Sequence, residues 1–219
     1  AYRNPRPGYL SQRPAADALM LAFHIGPCRV QLNFSFFALI AFCCIFTGAK
    51  GGLACFLAVC LHEASHLAAM LALGAYPEKV VLSALGCRIE ITGQIVLTDR
   101  HNIWISLAGP LANWASGAIS AMFCFSSSAF FEASFAMALA HSLPIEPLDG
   151  GLALRYYLRS KYAPDKAEQI SRIISLLFLI PLATLGFLVL LNTRYNYSLL
   201  AIALYLMLYL VLKWDMSAP

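Results

Sequence analysis

The chain is short of charge. Only 12% of its 219 residues are Asp, Glu, Lys or Arg, against roughly 25% in an average soluble protein. It lacks low-complexity tracts and internal repeats, and its seven cysteines, at positions 28, 43, 44, 55, 60, 87 and 124, show no C-x-x-C spacing. The first lack excludes an ordinary soluble domain. The others exclude fibrous or solenoid architectures and a disulfide framework, leaving the cysteines as small buried hydrophobes. With 15 Lys and Arg against 11 Asp and Glu, the net charge is only +4, so its distribution along the chain matters more than its sum, and a chain dominated by long apolar stretches is not expected to have nucleic acid as a partner.

What is present instead is apolar length. Hydrophobic residues make up 60% of the chain, and runs long enough to cross a bilayer recur. Six spans are predicted, at 32–49, 52–74, 102–126, 129–158, 170–191 and 196–213. The charges sort them. With the amino-terminal tail on one side, Lys50 and Arg194 face the other side, while Arg3, Arg6, Arg13, Arg29 and the remaining basic residues share the side of the tail. By the positive-inside rule both termini are cytoplasmic, and a multi-pass protein of the bacterial cytoplasmic membrane is expected. The first apolar run has no A-x-A-like cleavage site after it and reads as a retained span.

The organisation expected is a cytoplasmic tail (1–29), a six-helix membrane core (30–213) and a short cytoplasmic tail (214–219), with no appended soluble regulatory domain. Between the second and third spans the run VVLSALGCRIEITGQIVLT is β-branched and broken by Gly86 and Gly93, which predicts a short β-hairpin. The basic connection after Lys161 carries a helix start at Pro164 and Asp165. The fold class expected is therefore an all-α integral membrane protein with six transmembrane helices and one β-hairpin.

Inside the second span stands His62-Glu63-Ala64-Ser65-His66. Histidines four apart lie one turn apart on one helical face, so both imidazoles can reach one Zn²⁺, and the glutamate beside the first can act on a water at the metal. A chain of this composition acquires the pattern by chance on the order of 0.003 times. Glu63 is the sole charged residue between Gly51 and Pro77, and His62 lies about 16 Å along its span at 1.5 Å per residue. Ionisable groups at that depth are costly and are retained for function. Candidates for a third ligand are Asp149, Glu146, His141 and Glu132. Asp149 stands where two prolines (Pro144, Pro147) and two glycines (Gly150, Gly151) break the fourth span, and broken backbone in lipid survives only when buried or lining a cavity.

These residues resemble the site-2 proteases, intramembrane zinc metalloproteases. The resemblance lies in His62-Glu63-x-x-His66, in Gly109-Pro110-Leu111-Ala112-Asn113, and in Pro144-x-x-Pro147-Leu148-Asp149-Gly150-Gly151, in that order and on successive spans. It implies Zn²⁺ as cofactor, six helices around an intramembrane zinc site, ligation by His62, His66 and Asp149, and Glu63 as the catalytic base. It also implies a membrane-tethered protein as substrate, inhibitory membrane proteins as partners, and the 80–97 hairpin as an edge for the unwound substrate. Asn113 and His141 are the expected contacts to substrate or oxyanion; packing on a kinked helix is the other reading of Asn113, and packing or extra zinc ligation the other readings of His141. His141 occupies the position where the family carries Asn, and it too can donate a hydrogen bond. The short layout is most like the sporulation branch of the family, that of stage IV sporulation protein FB, which implies release of a sigma factor. Two other classes remain open. A transporter predicts paired broken spans in corresponding halves, and a catalytically inactive relative predicts binding without hydrolysis.

Overall fold

The computed structural model describes residues 20–26, 28–83, 86–91, 97–123 and 128–217. Strands β1 (Met20–Ile25) and β2 (Cys28–Asn33) lead into α1 (Phe34–Ala72). Then follow β3 (Pro77–Ser83), β4 (Gly86–Ile91), α2 (Asp99–Met122), α3 (Ala129–His141), α4 (Asp149–Arg159), α5 (Pro164–Thr193) and α6 (Ser198–Ser217). The described chain is mostly helical, and α1 and α5 are long and apolar enough to cross a membrane. Phe46, Leu53, Leu177, Ile180, Leu188 and Leu191 are exposed on them. The small core of Ile145, Leu179, Ala203, Leu206 and Leu210 sits where α5 and α6 meet the α3–α4 turn. Large apolar side chains turned outward suit a hydrocarbon solvent.

The first two expected spans belong to one helical element that folds back on itself. A straight helix of 39 residues would be about 58 Å long and would hold Phe36 and Phe56 about 30 Å apart. Their ring centroids are 6.3 Å apart. The chain reverses at Gly48, whose φ of 72° and ψ of 172° lie in a region essentially open to glycine alone. The reversal brings the end of α1 back beside its start, so that Arg29–Leu32 of β2 pair in parallel with Lys79–Leu82 of β3.

The sheet is consequently larger than a hairpin. β3 and β4 do form the antiparallel pair expected there, but the order is β1-β2-β3-β4, with β1 and β2 adding a second antiparallel pair from residues 20–33. Residues 1–19 of the expected tail and 92–96 of the expected hairpin region lie outside the described residues, as does Cys124. Cys28, Cys43, Cys44, Cys55 and Cys60 are free thiols.

The fourth expected span, 129–158, is two helices. α3 ends at His141, and α4 begins at Asp149 after the turn Ser142–Leu148. Prolines 144 and 147 forbid a continuous helical ladder there. Ser142 Oγ accepts from Trp114 Nε1 of α2 at 3.0 Å, and Arg159 Nε of α4 lies 3.9 Å from Asp99 Oδ1 at the start of α2. α2 thus lies along both halves of the broken segment. Its own start is capped by Thr98, whose side chain accepts from the His101 amide.

Gly48→Ala isolates the cost of the reversal, since an added Cβ there meets nothing within 4 Å and only backbone strain remains. The expected loss is about 1–3 kcal/mol, read as a lower thermal unfolding midpoint in detergent. An unchanged midpoint would show that the turn relaxes.

Candidate metal centre

His62 and His66 stand on the second arm of α1, both buried at 1% and 8% exposure. Their rings meet edge to face at 4.8 Å, one helical turn apart. α2 presses against them at Gly109: a Cβ there would run into His66 Nε2 and approach His62 Nε2 within 2.8 Å. Glycine at this position is a requirement of close approach. Four residues earlier on the same helix, the carbonyl of Ile105 lies 2.6 Å from His66 Nδ1. A carbonyl can only accept, so Nδ1 carries the proton and donates it, and the Nε2 of neutral His66 presents a bare lone pair.

Asp149 arrives from the other side, at the first turn of α4. Gly150 and Gly151 let that turn seat against the backbone of Ser142–Glu146, which any Cβ at either position would strike. The carboxylate oxygen Oδ2 then lies 2.9 Å from His62 Nε2 and 3.4 Å from His66 Nε2. The two Nε2 atoms are 3.2 Å apart. His141, at the end of α3, donates from Nδ1 to the same Oδ2 at 2.7 Å, and its ring lies edge-on to that of His62 at 4.4 Å.

This donor set fits a Zn²⁺ ion. Two imidazole nitrogens and a carboxylate oxygen meet as three electron-pair donors, and one proton can satisfy just one of their three mutual contacts. Zinc–ligand distances near 2.0–2.1 Å imply a tetrahedral edge of about 3.3 Å, and the three edges here are 2.9, 3.2 and 3.4 Å. The Ile105 carbonyl on His66 and the His141 imidazole on Asp149 are the kind of outer hydrogen bonds that orient metal ligands. His62, His141 and Asp149 form a second grouping whose donor atoms all lie within 4.8 Å of one another. The 2.7 Å bond uses the Nδ1 proton of His141, which assigns it to orienting the carboxylate.

A cavity of about 290 Å³ opens on this centre, walled by the three histidines, Glu63, Asp149 and Ile89 of β4 among others. Glu63 also borders an apolar pocket of about 410 Å³ between the second arm of α1 and strands β2 and β3. Asn113 is fully buried, is absent from the cavity wall, and finds no partner for either amide atom among the described residues. Of the candidates for a third ligand, Asp149 faces the histidines. Glu146 turns away toward Ser171, Arg155 and Lys213. The role of the Ile105 carbonyl had no signal in the sequence, because every residue carries the same backbone oxygen.

Gly109→Ala should displace both imidazoles. The expected result is a drop in zinc affinity of about tenfold or more, the scale on which supporting groups act at metal sites, with an unchanged elution volume in detergent. Wild-type affinity in this variant would contradict the close approach.

The same architecture occurs in the solved structure of a site-2 protease from Methanocaldococcus jannaschii. The likeness has a TM-score of 0.58 at 20% sequence identity and covers 86% of this chain and 92% of that one. No protein-family model and no curated protein sequence matches the chain. At this level of identity the likeness is one of fold, and the fold is that of a site-2 protease of known structure.

Proposed function

We propose that this chain is a zinc metalloendopeptidase of the site-2 protease type, hydrolysing a peptide bond in or next to the transmembrane segment of a membrane-tethered protein. The observation that carries the reading is the meeting of His62, His66 and Asp149 at 2.9–3.4 Å on a cavity that Glu63 also lines. His62, His66 and Asp149 would hold the ion, whose bound state supplies Lewis-acid polarisation of a carbonyl and acidifies a water. Glu63 takes the proton of the attacking water and delivers it to the leaving nitrogen. His141 holds Asp149 in place through Nδ1.

A peptide bond in a membrane helix satisfies its own backbone and must be extended before attack. β4 is the outer strand of the sheet on this side, and its Ile89 lies on the cavity wall, which supports strand addition of the substrate beside the metal centre. The apolar pocket bordered by Glu63 suits the side chains of a membrane segment. The multi-pass topology with six spans and cytoplasmic termini rests on hydropathy and the distribution of basic residues. Release of a sigma factor during sporulation is a narrower reading within the site-2 protease resemblance; co-expression with tethered precursors tests it.

Two sets of variants divide the roles. His62→Ala, His66→Ala and Asp149→Ala should each lose most bound zinc in detergent-purified protein, because a three-ligand site depends on every member. Glu63→Gln should keep the metal and lose cleavage of a co-expressed substrate. Metal loss in the Gln variant equal to that of the histidine variants would refute the division, and undiminished cleavage would refute the base.

His141 has its own signature. His141→Ala should weaken zinc binding about 10–100-fold, the cost of removing an outer hydrogen bond to a ligand, while His141→Asn should recover part of it, since an amide also donates. Chelator competition reads both, and an unweakened Ala variant would remove His141 from the support of Asp149.

A further inference from the structure

Neither the hydrolytic mechanism nor the motif resemblance uses Glu146, yet the residue is 3% exposed, inside a polar cluster in which Lys213 Nζ also lies 3.5 Å from Glu168 Oε1. It lies three residues before Asp149, in the turn between α3 and α4. Its Oε1 accepts from Ser171 Oγ of α5 at 2.7 Å. Its Oε2 accepts from Lys213 Nζ of α6 in a short contact and from Arg155 of α4 at 3.4 Å. The backbone of the same turn is held as well, with the Glu146 amide donating to Ser175 Oγ at 3.2 Å. Ser171 and Ser175, one turn apart on α5, are both fully buried. A carboxylate is not tolerated in such surroundings without partners, and removing one partner leaves a buried charge uncompensated.

The position of this cluster gives it a role. Gly151 of α4 lies so close to the Ile145–Glu146 backbone that a Cβ would strike it, so wherever that backbone is held the first turn of α4 is held too. Asp149 sits in that turn with its Oδ2 at His62. No residue of α5 or α6 lines the metal-centre cavity. They reach it through the α3–α4 turn, where Ile145 packs on Leu179, Leu206 and Leu210 and Glu146 binds Ser171 and Lys213.

We propose that Glu146 is a positioning residue, locked by Lys213 and Ser171, through which the carboxyl-terminal helix sets the geometry of Asp149 and with it the affinity of the metal centre. The inference rests on the metal-centre reading above. It makes α6 part of the site that it never touches, because a rigid α3–α4 turn is what turns a flexible carboxylate into a preorganised ligand.

The test is zinc affinity of the full chain in detergent, by chelator competition, with Co²⁺ absorption as a second reading of ligand geometry. Lys213→Met keeps the apolar stem and removes the charge. It should weaken zinc binding about tenfold and alter the Co²⁺ spectrum, and Lys213→Arg should restore both. Glu146→Gln should weaken binding similarly, and Glu146→Gln with Lys213→Met should cost less than the two single losses combined, as expected for groups that act as a pair. Gly186→Ala loosens the α5–α6 contact away from the α3–α4 turn, since a Cβ there would strike the backbone of Leu200; it should lower the unfolding midpoint and leave zinc affinity near wild type. If Gly186→Ala weakens zinc as much as Lys213→Met, or if Lys213→Met and Glu146→Gln bind like wild type, the positioning role is wrong. A wild-type chain that binds no zinc would instead overturn the metal-centre reading itself, so the two failures are told apart.

Discussion

His66 turns a lone pair toward a carboxylate 3.4 Å away, inside a bundle whose surroundings offer little to screen it. In the neutral imidazole the Ile105 carbonyl sets this arrangement by claiming the Nδ1 proton. Electron-pair donors brought face to face repel each other, and in a low-dielectric interior the repulsion is strong. A cation shared by the two imidazoles and Asp149 would relieve all their contacts together. Much of the rest of the architecture serves to hold these donors at that separation.

Close approach is achieved with residues that lack side chains. Gly48 lets α1 reverse, so that its second arm delivers the histidines beside the sheet. Gly109 lets α2 press on both imidazoles, and Gly150 and Gly151 let α4 seat under its own preceding turn. Each does a different geometrical task. Together they bring four helical segments around one point while leaving large apolar residues on the outside, where a hydrocarbon solvent accepts them. Among the described residues the His62–Asp149 cluster and the Glu146 cluster each join chain segments distant in sequence.

The sequence carried much of this in plain view. His62-Glu63-x-x-His66 lies on one helical face because the residues are four apart, and that geometry needs no tertiary partner. The reversal near Gly48, the break between Ala129 and Arg159 and the β3–β4 pair were equally visible, as interruptions of apolar periodicity by Gly and Pro. Less was visible about the sheet. The parallel pairing of β2 with β3 joins residues fifty positions apart, Arg29 with Lys79, and arises only because the α1 hairpin returns the chain to its start. Asn113, expected to face substrate, is buried away from the cavity wall.

Composition and spacing by themselves determined the solvent this protein is built for, the helical face bearing the two histidines, and the place where the fourth span breaks. These are local properties, set by transfer free energies and by backbone rules that act over a few residues. The tertiary structure alone decided that His141 donates to Asp149, that a backbone oxygen of α2 orients His66, and that Lys213 of α6 reaches the turn before Asp149. Such contacts depend on how helices pack, and packing is a sum over many weak interactions between residues far apart in the chain, which no short window of sequence records.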